Sequence, residues 1–392
     1  MQEIIITNKE NNKKIMLVEN GQMIEQYQEN DQKTRLEGNI YLGKIRNILP
    51  GMQAAFVDIG EGKNTFIQVK DLLKKEDETK EKTEQTKDIK EVAKIGMQII
   101  VQVKKDANHK KGARVSTHIS LPGKYMVYMP ETDFITISQK ITDEAKKQEL
   151  KQYVQQILPQ GVGAILRTSA EIATNEQLKQ DAKALENKWQ QIKEKAQASS
   201  EIGLLYESET VIEKLIQDTI SQKIEKITVD TETDYEEVSK ILAKHQEYSN
   251  IKIEKVQDST EKYTLKKQLA QLENRKIWLK CGGFITIDKT EALTAIDVNS
   301  GKYTGKMSQE QTIYTVNKEA TEEIAKQLRL RDIDGIIIID YIDMQKEQSR
   351  EKIKELLQEN LKKDRSKTQI LEFTKLNLLE LTRKHMFSNI NK

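Results

Sequence analysis

The fold of this chain is decided by two stretches, Glu291-Ala-Leu-Thr-Ala-Ile-Asp297-Val-Asn299-Ser-Gly301 and Gly335-Ile-Ile-Ile-Ile-Asp340-Tyr-Ile-Asp343-Met344. Each stretch predicts a β-strand that carries a carboxylate at or near its end. A helix is predicted between them, because Ser308 and Gln311 have the spacing of a capping box and apolar residues then recur at helical period: Ile313, Val316, Ala320, Ile324 and Leu328. Strand, helix and strand form a βαβ unit, so the two strands should be parallel neighbours or near neighbours.

This arrangement predicts a metal site. Asp297 and Asp340 should meet at one edge of the sheet, although 43 positions separate them, and Asn299 shares a strand face with Asp297. Two carboxylates and an amide oxygen suit Mg²⁺ or Mn²⁺ and not zinc, and such a site supports phosphoryl chemistry. Alternatively, each aspartate simply ends a strand and turns the chain. The strand-end interpretation is favoured for a single aspartate. For two aspartates at the ends of adjacent parallel strands, the metal site is favoured.

The same residues carry a resemblance to a known family. The catalytic core of the ribonuclease E/G family of bacterial endoribonucleases resembles two segments of this chain, GGFITIDKTEALTAIDVNSGK (residues 282–302) and QLRLRDIDGIIIIDYIDM (residues 327–344). The resemblance extends over nearly the whole chain, from about Gly38 to Met386. It implies that Asp297 and Asp340 hold Mg²⁺ and that Asn299 orients the site, and these are the three residues that the strand pattern selects.

Length and composition set broad limits. A chain of 392 residues has room for about two to four domains, and its net charge of +2 means that any nucleic-acid surface must come from local clustering. The single Cys281 excludes an internal disulfide and a cysteine-pair zinc site within one chain, and the four scattered histidines lack zinc-hydrolase spacing, so no zinc is expected. Without a long apolar run or a secretory signal, the chain is expected to be cytoplasmic and to have no membrane partner.

The N-terminal segment predicts a small antiparallel sheet with strands at Ile4–Thr7, Lys14–Glu19 and Gln22–Tyr27. Three strands cannot bury a core alone, so a later segment should complete them. The family resemblance implies a divided RNase H-like domain, formed by residues 1–34 and 207–272. Acidic residues at Asp230 to Asp234 have no matching strand-end carboxylates in the first half. We therefore expect this domain to be structural.

Residues 35–122 predict a five-stranded OB-type barrel, because short strands alternate with glycines there. Phe56 and Phe66 lie on two of these strands, and a strand phenylalanine usually belongs to the barrel core. The resemblance implies instead that both rings contact RNA. It also places Lys111, within a basic run that ends at Arg114, on the RNA; such a run alone is usually a solvated loop. Residues 74–94 are almost entirely polar and predict a mobile or loosely helical insertion.

Residues 123–206 predict an α/β region with a strand that ends in Arg167-Thr168. An arginine and a hydroxyl there suit a terminal phosphate, although a plain surface turn is the favoured interpretation of the dipeptide alone. The resemblance implies that Arg167 and Thr168 form a 5′-monophosphate sensor. A third sensor position, an arginine in the family, is Lys375 here, which keeps the charge and loses the bidentate fork.

The resemblance implies that residues 273–392 form a DNase I-like α/β catalytic domain. After Met344 the sequence predicts a helix at Glu347–Lys363, a strand at Thr368–Phe373 and a last helix at Leu378–His385. Family members continue into a cysteine-pair zinc link and a small dimerisation domain, which the sequence to Lys392 lacks. The oligomeric state is therefore open between a monomer and a different dimer.

The expected fold class is a multidomain α+β or α/β protein, with the OB-fold barrel and the sensor region inserted into the divided RNase H-like domain and the DNase I-like domain following. The first functional hypothesis is a Mg²⁺-dependent endoribonuclease. It would cut single-stranded RNA, in rRNA precursors and mRNA, to 5′-phosphate and 3′-hydroxyl ends, with a preference for 5′-monophosphorylated substrates. The alternative is a non-catalytic RNA-binding protein that uses the barrel. A third, a structural protein, predicts no salt-sensitive RNA binding.

Overall fold

The computed structural model describes residues 2–9, 12–30, 36–73, 88–107, 112–219, 224–243, 248–301 and 308–384. Within them the strands are β1 (Gln2–Lys9), β2 (Asn12–Glu19), β3 (Gln22–Asn30), β4 (Ile40–Leu49), β5 (Ala54–Asp58), β6 (Thr65–Gln68), β7 (Gln98–Lys105), β8 (Arg114–Ser116), β9 (Leu121–Pro122), β10 (Met126–Pro130), β11 (Ile135–Ile137), β12 (Val162–Leu166), β13 (Gly203–Tyr206), β14 (Ile224–Val229), β15 (Lys252–Lys255), β16 (Lys276–Trp278), β17 (Phe284–Lys289), β18 (Leu293–Asn299), β19 (Gly335–Asp340), β20 (Thr368–Phe373) and β21 (Leu378–Arg383). The helices are α1 (Val69–Leu72), α2 (Ile89–Val92), α3 (Glu144–Ile157), α4 (Asn175–Ala198), α5 (Val211–Thr219), α6 (Glu232–Ala243), α7 (Leu265–Gln271), α8 (Gln309–Leu330) and α9 (Glu347–Leu361).

The described residues form two compact units. The first unit contains residues 2–30 and 224–384, and the second contains residues 36–219. The chain is therefore a mixed α/β protein of more than one domain, as expected. None of the described helices has both the length and the apolar character that a membrane span requires.

The first sheet of the first unit combines strands from before and after the second unit in the sequence. Its order is β15-β14-β1-β2-β3, with β1 antiparallel to β2 and parallel to β14. The three predicted N-terminal strands are present, and Ile4 is paired with Ile227. Ile5, Met16 and Val18 are buried with Leu265 and with Leu330 at the end of α8, so this sheet shares a core with the second part of its unit.

The second sheet of the first unit has the order β16-β17-β18-β19-β21-β20. Strands β18 and β19 are parallel neighbours, which confirms the predicted pairing. The predicted capping box is also present, because Ser308 accepts a hydrogen bond from the Gln311 backbone and Gln311 bonds back to Ser308. Helices α8 and α9 bury their apolar sides against one face of this sheet, and the core there includes Ile296, Ile339, Ile324 and Leu357.

The predicted last helix, Leu378–His385, is wrong. Leu378–Arg383 forms strand β21, which lies between β19 and β20 and is antiparallel to both, and His385 lies outside the described residues. Leu379, Leu381 and Arg383 are buried, and they alternate with less buried residues at the period of a strand. A short leucine-rich run fits either structure locally, and pairing with β19 decides between them.

The second unit contains a closed barrel of five strands in the order β4-β5-β6-β8-β7, with β7 paired back to β4. Strand β13 adds to the outside of β4. The predicted insertion is too long at its C-terminal end, because Ile89 and Ala93 are buried in the barrel core. These two apolar side chains follow a helix start capped by Asp88, whereas residues 74–87 of the predicted insertion lie outside the described residues.

The rest of the second unit is a four-stranded sheet in the order β11-β12-β10-β9, packed against α3 and α4. The predicted strand that leads to Arg167 is β12. In this layer α4 buries an apolar side formed by Leu178, Leu185 and Trp189.

Candidate active site

The two aspartates of the predicted metal site lie side by side. Asp297 on β18 and Asp340 on β19 are direct partners in the parallel register, so their backbones are one strand spacing apart, about 4.8 Å. Both side chains are exposed, while their strand neighbours Ile296 and Ile339 are buried against the helices. The buried neighbours therefore direct both carboxylates to the open face of the sheet.

Asn299 completes this group. Its side-chain Nδ2 donates a hydrogen bond of 2.5 Å to Oδ2 of Asp297. This contact holds the Asp297 carboxylate in one orientation and leaves its second oxygen available. The turn after Asn299 is tight: a Cβ on Gly301, whose φ is +58°, would lie 2.4 Å from the carbonyl oxygen of Gly282. Glycine at position 301 thus lets the chain leave the site without a clash.

The electrostatics of the group favour a cation. Burial and the neighbouring carboxylates of Asp297 and Asp343 raise the pKa of Asp340. A divalent ion would offset this repulsion. Among the residues that the structure describes, no three His, Cys, Asp or Glu side chains are grouped to hold a metal. The two carboxylates still fit Mg²⁺, because this ion is typically held by one or two carboxylates with water and substrate phosphate filling the other positions.

A buried polar residue that was not predicted, Asn317, holds the chain segment next to the site. The Asn317 side chain, fully buried on α8, donates to the carbonyl of Ile342 over 2.7 Å and accepts from the Ile342 backbone N–H over 3.1 Å. One turn later, the Thr321 hydroxyl donates to the Asn317 carbonyl and contacts the Tyr341 hydroxyl at 3.0 Å. Both residues thus fasten the segment that follows Asp340. The signal in the sequence is two polar residues at helical spacing within the apolar stripe of α8.

The two phenylalanines of the barrel lie on its outer face. Phe56 on β5 and Phe66 on β6 are register partners, and their ring centroids are 6.1 Å apart in an edge-to-face contact. Both side chains are half-buried, while the adjacent Ala55 and Ile67 point into the core. The barrel-core interpretation of the two rings is therefore wrong, and a paired aromatic surface is available on the outside of the second unit.

The basic run beside the barrel is only partly described. Lys111 lies outside the described residues. Lys104 hydrogen-bonds to Gln102 and Ser120. Arg114 makes an ion pair of 2.6 Å with Asp71. Lys104 and Arg114 thus have partners within the second unit, and Lys105 is exposed at the end of β7.

The predicted phosphate-sensor residues are divided between the two units. Arg167 follows β12, and its backbone N–H donates to the Tyr125 carbonyl. Thr168 begins a short 3₁₀ turn, and its hydroxyl is 3.0 Å from that of Ser138. Lys375 is exposed in the turn between β20 and β21 of the first unit. The structure places Arg167 beside Thr168 within one unit, and it describes Lys375 in the other.

The turn that carries Lys375 lies at the same sheet edge as the aspartates, because Leu378 at the start of β21 is the register partner of Asp340. The Asn377 side chain in this turn donates to Oδ1 of Asp343 over 3.1 Å. Asn377 has a φ of +63°, which asparagine tolerates better than most residues. The β20–β21 turn is therefore tied to the acidic edge, a contact that the predicted helix at 378–385 would have excluded.

Comparisons with known proteins agree with this geometry. The model of the ribonuclease E/G family matches residues 120–386. Ribonuclease G of Haemophilus influenzae is 36% identical over 388 residues, covering 97% of this chain and 79% of the relative, and ribonuclease G of Escherichia coli K12 is 34% identical over 396 residues, covering 99% and 81%. Ribonuclease E of a Nostoc species is 34% identical over 364 residues, covering 90% of this chain and 52% of the relative. The resemblance is confirmed, and the chain belongs to the ribonuclease E/G family of endoribonucleases.

Proposed function

We propose that this chain is a Mg²⁺-dependent endoribonuclease that cuts single-stranded RNA and leaves 5′-phosphate and 3′-hydroxyl ends. The observation that carries the proposal is the pairing of Asp297 with Asp340 in one register row on an open sheet face, with Asn299 bonded to Asp297. Mn²⁺ has similar ligand preferences and should substitute for Mg²⁺.

Asp297 and Asp340 would hold the metal ion. When bound, the ion supplies activated water and offsets the negative charge that builds up on the phosphate. Asn299 keeps the Asp297 carboxylate aimed at the ion, and Asn317 holds the backbone beyond Asp340 in place. The open face leaves room for a phosphodiester beside the two carboxylates.

The barrel, which we propose is of the OB type, would bind the single-stranded substrate. Phe56 and Phe66 offer aromatic surface on which bases stack, and Lys111 would contact the backbone. Arg167 and Thr168 would recognise a 5′-monophosphate with Lys375, which provides charge without a bidentate fork. The first sheet, which we propose is the divided RNase H-like domain, is structural in this scheme. Ribosomal RNA precursors and mRNA are the proposed substrates, in rRNA maturation and mRNA turnover.

The test is cleavage of a 5′-monophosphorylated, AU-rich, single-stranded RNA with and without Mg²⁺. Asp297→Asn and Asp340→Asn should each abolish Mg²⁺-dependent cleavage. Asp288→Asn is a matched control, because Asp288 lies on the adjacent strand β17 and is ion-paired with Arg275. Cleavage by the control and none by the two site variants supports the proposal. RNA that is bound and left intact under every condition overturns the proposal and leaves a binding protein.

A second measurement addresses the metal without relying on activity. Binding of Mn²⁺ to the RNA-free protein, followed by electron paramagnetic resonance, should show one site that is weakened by Asp297→Asn and unchanged by Asp288→Asn. Equal binding by all three proteins would place the ion elsewhere.

A further inference from the structure

The open face of the second sheet carries more than the acidic residues. Trp278 on β16 is the register partner of Phe284 on β17, and Phe284 is the partner of Asn299 on β18. Two rows further along, on the same face, Lys276, Thr286, Asp297 and Asp340 follow one another across four strands. Partners in one row point to the same side of a sheet, so Trp278, Phe284 and Lys276 share the face of the candidate metal site.

These three side chains form a compact group, the edge cluster. The rings of Trp278 and Phe284 are 5.3 Å apart in an edge-to-face contact. The Lys276 ammonium is 4.1 Å from the centroid of the Trp278 ring and 3.5 Å from that of Phe284. Two cation–π contacts to one ammonium hold the group together and keep a positive charge beside the rings.

The edge cluster is exposed where a purely structural aromatic would be covered. Trp278 remains 60% exposed, and Lys276 is exposed as well. By contrast, Trp189 of the second unit is only 7% exposed. Aromatic area open to water beside a cation suits a ligand that has both a flat ring and a negative charge. An unpaired nucleotide has both, in its base and its phosphate.

The position relative to the aspartates identifies which nucleotide. Trp278 is two strand spacings from Asn299, or about 10 Å, and Phe284 is only one spacing away. The cation of Lys276 lies in the same row as Asp297 and Asp340. A substrate strand that has its scissile phosphate at the aspartates and runs towards β16 brings its nearest nucleotides onto the edge cluster.

We propose that Trp278, Phe284 and Lys276 form a stacking subsite for an unpaired base that flanks the scissile phosphate on the substrate RNA. This inference rests on the proposed function, and it adds a substrate contact on the sheet that holds the aspartates. Trp278 stacks on the base and Lys276 neutralises the adjoining phosphate. The subsite selects single-stranded RNA, since a paired base has no free face to offer to the ring.

Tryptophan fluorescence tests the contact without cleavage. The full chain in EDTA is titrated with a single-stranded, AU-rich RNA of about 12 nucleotides, a length typical of single-stranded binding sites. Wild-type protein should show quenching from Trp278, whereas Trp278→Leu, which retains only Trp189, should show none and should bind about tenfold more weakly. Trp278→Tyr keeps a stacking ring and should restore most of the affinity. Quenching that persists in Trp278→Leu overturns the proposal.

A cleavage experiment locates the base. One abasic nucleotide is moved along an RNA with a single cut site, and wild type is compared with Trp278→Leu. At one position near the cut the abasic site should lower kcat/KM about tenfold for wild type and have no further effect on the variant. Effects that multiply at every position would show that Trp278 touches no base.

Other outcomes separate the two proposals. If RNA quenches the fluorescence of Trp278 and is never cut, the nuclease function is refuted and the edge cluster is kept only as a base-stacking site. Cleavage that is insensitive to Trp278→Leu keeps the nuclease and refutes the subsite. If Trp278→Leu changes only the sedimentation coefficient of the RNA-free protein, the edge cluster is a contact between copies, and the proposal is wrong.

Discussion

Replacing Asn317 with alanine should destabilise the first unit. The side chain is fully buried, and it satisfies both the N–H and the carbonyl of Ile342 at 3.1 and 2.7 Å. Alanine removes the partner of one backbone donor and one backbone acceptor beside a fully buried position, and each such loss costs about 1–3 kcal/mol. We expect the free energy of unfolding to fall by about 2–6 kcal/mol.

The same change should slow cleavage because it shifts the Asp340 carboxylate, and it should leave RNA binding unaffected. Ile342 is two residues beyond Asp340, so a backbone freed from α8 lets the carboxylate drift away from Asp297. Displacement of a reacting group by about 1 Å can cost on the order of a hundredfold in rate. For Asn317→Ala we expect kcat to fall at least tenfold while KM for RNA changes little, because no RNA-contacting residue is altered.

Urea unfolding and steady-state cleavage measure the two effects. Asn360→Ala is the matched control. This amide lies on α9 and donates over 2.9 Å to the Leu356 carbonyl, so its hydrogen bond stays within its own helix. It should cost less than about 1 kcal/mol and leave kcat unchanged. If Asn317→Ala is as mild as this control in both measurements, the Asn317 side chain does not hold the site and the reasoning is refuted.

Three further changes test other parts of the structure. Phe66→Ala should weaken binding of single-stranded RNA by about 1–3 kcal/mol in a filter-binding titration, because it removes a stacking ring and the partner of Phe56. Phe66→Tyr keeps a ring and should bind normally. If Phe66→Ala and wild type bind RNA with equal affinity, the outer barrel face is not an RNA surface. Arg383→Met should lower the free energy of unfolding by about 3–5 kcal/mol in urea, because it removes the cation that pairs with two buried carboxylates. Arg275→Met, at an exposed ion pair, should leave the unfolding curve almost unchanged. Lys226 and Lys262 lower the pKa of Glu254 from 4.5 to about 2. The ion pair therefore stabilises the fold above pH 4.5, by less than about 1 kcal/mol because it is partly exposed, and loses this effect as the pH falls towards 2. The stability difference between wild type and Glu254→Gln should close over that range in pH-dependent unfolding, and a difference that grows on acidification would contradict the pairing.

The pair of aspartates could be predicted because its cause is local. Alternation along β18 fixes the face of Asp297, and one long helix between two strands forces a parallel pairing that brings Asp340 beside it. The start of α8 could be predicted for the same reason, since Ser308 and Gln311 satisfy the first turn of the helix without help from the rest of the fold.

Residues whose roles depend on distant partners could not be predicted. Leu378–Arg383 becomes a strand because β19 offers it a free edge and because Arg383 finds Asp364 and Asp332 there, at 2.7 and 2.8 Å. No local window contains those carboxylates. The edge cluster was missed in the same way: Lys276, Trp278 and Phe284 reveal a shared face only once the register of three strands is known.

The parallel pairing of β1 with β14 has a consequence for how the chain is made. Strand β1 can pair with β2 at once, but it meets β14 only after roughly 220 further residues have been synthesised, which takes on the order of 10–40 s at about 5–20 residues per second. Residues 36–219 of the second unit are synthesised within that interval, so we expect this unit to fold first. Until β14 is made, the edge of β1 that faces away from β2 has no strand partner, and such an unpaired edge can pair with other chains. The nascent chain is therefore prone to aggregate through this edge until Ile224–Val229 leaves the exit tunnel and pairs with β1.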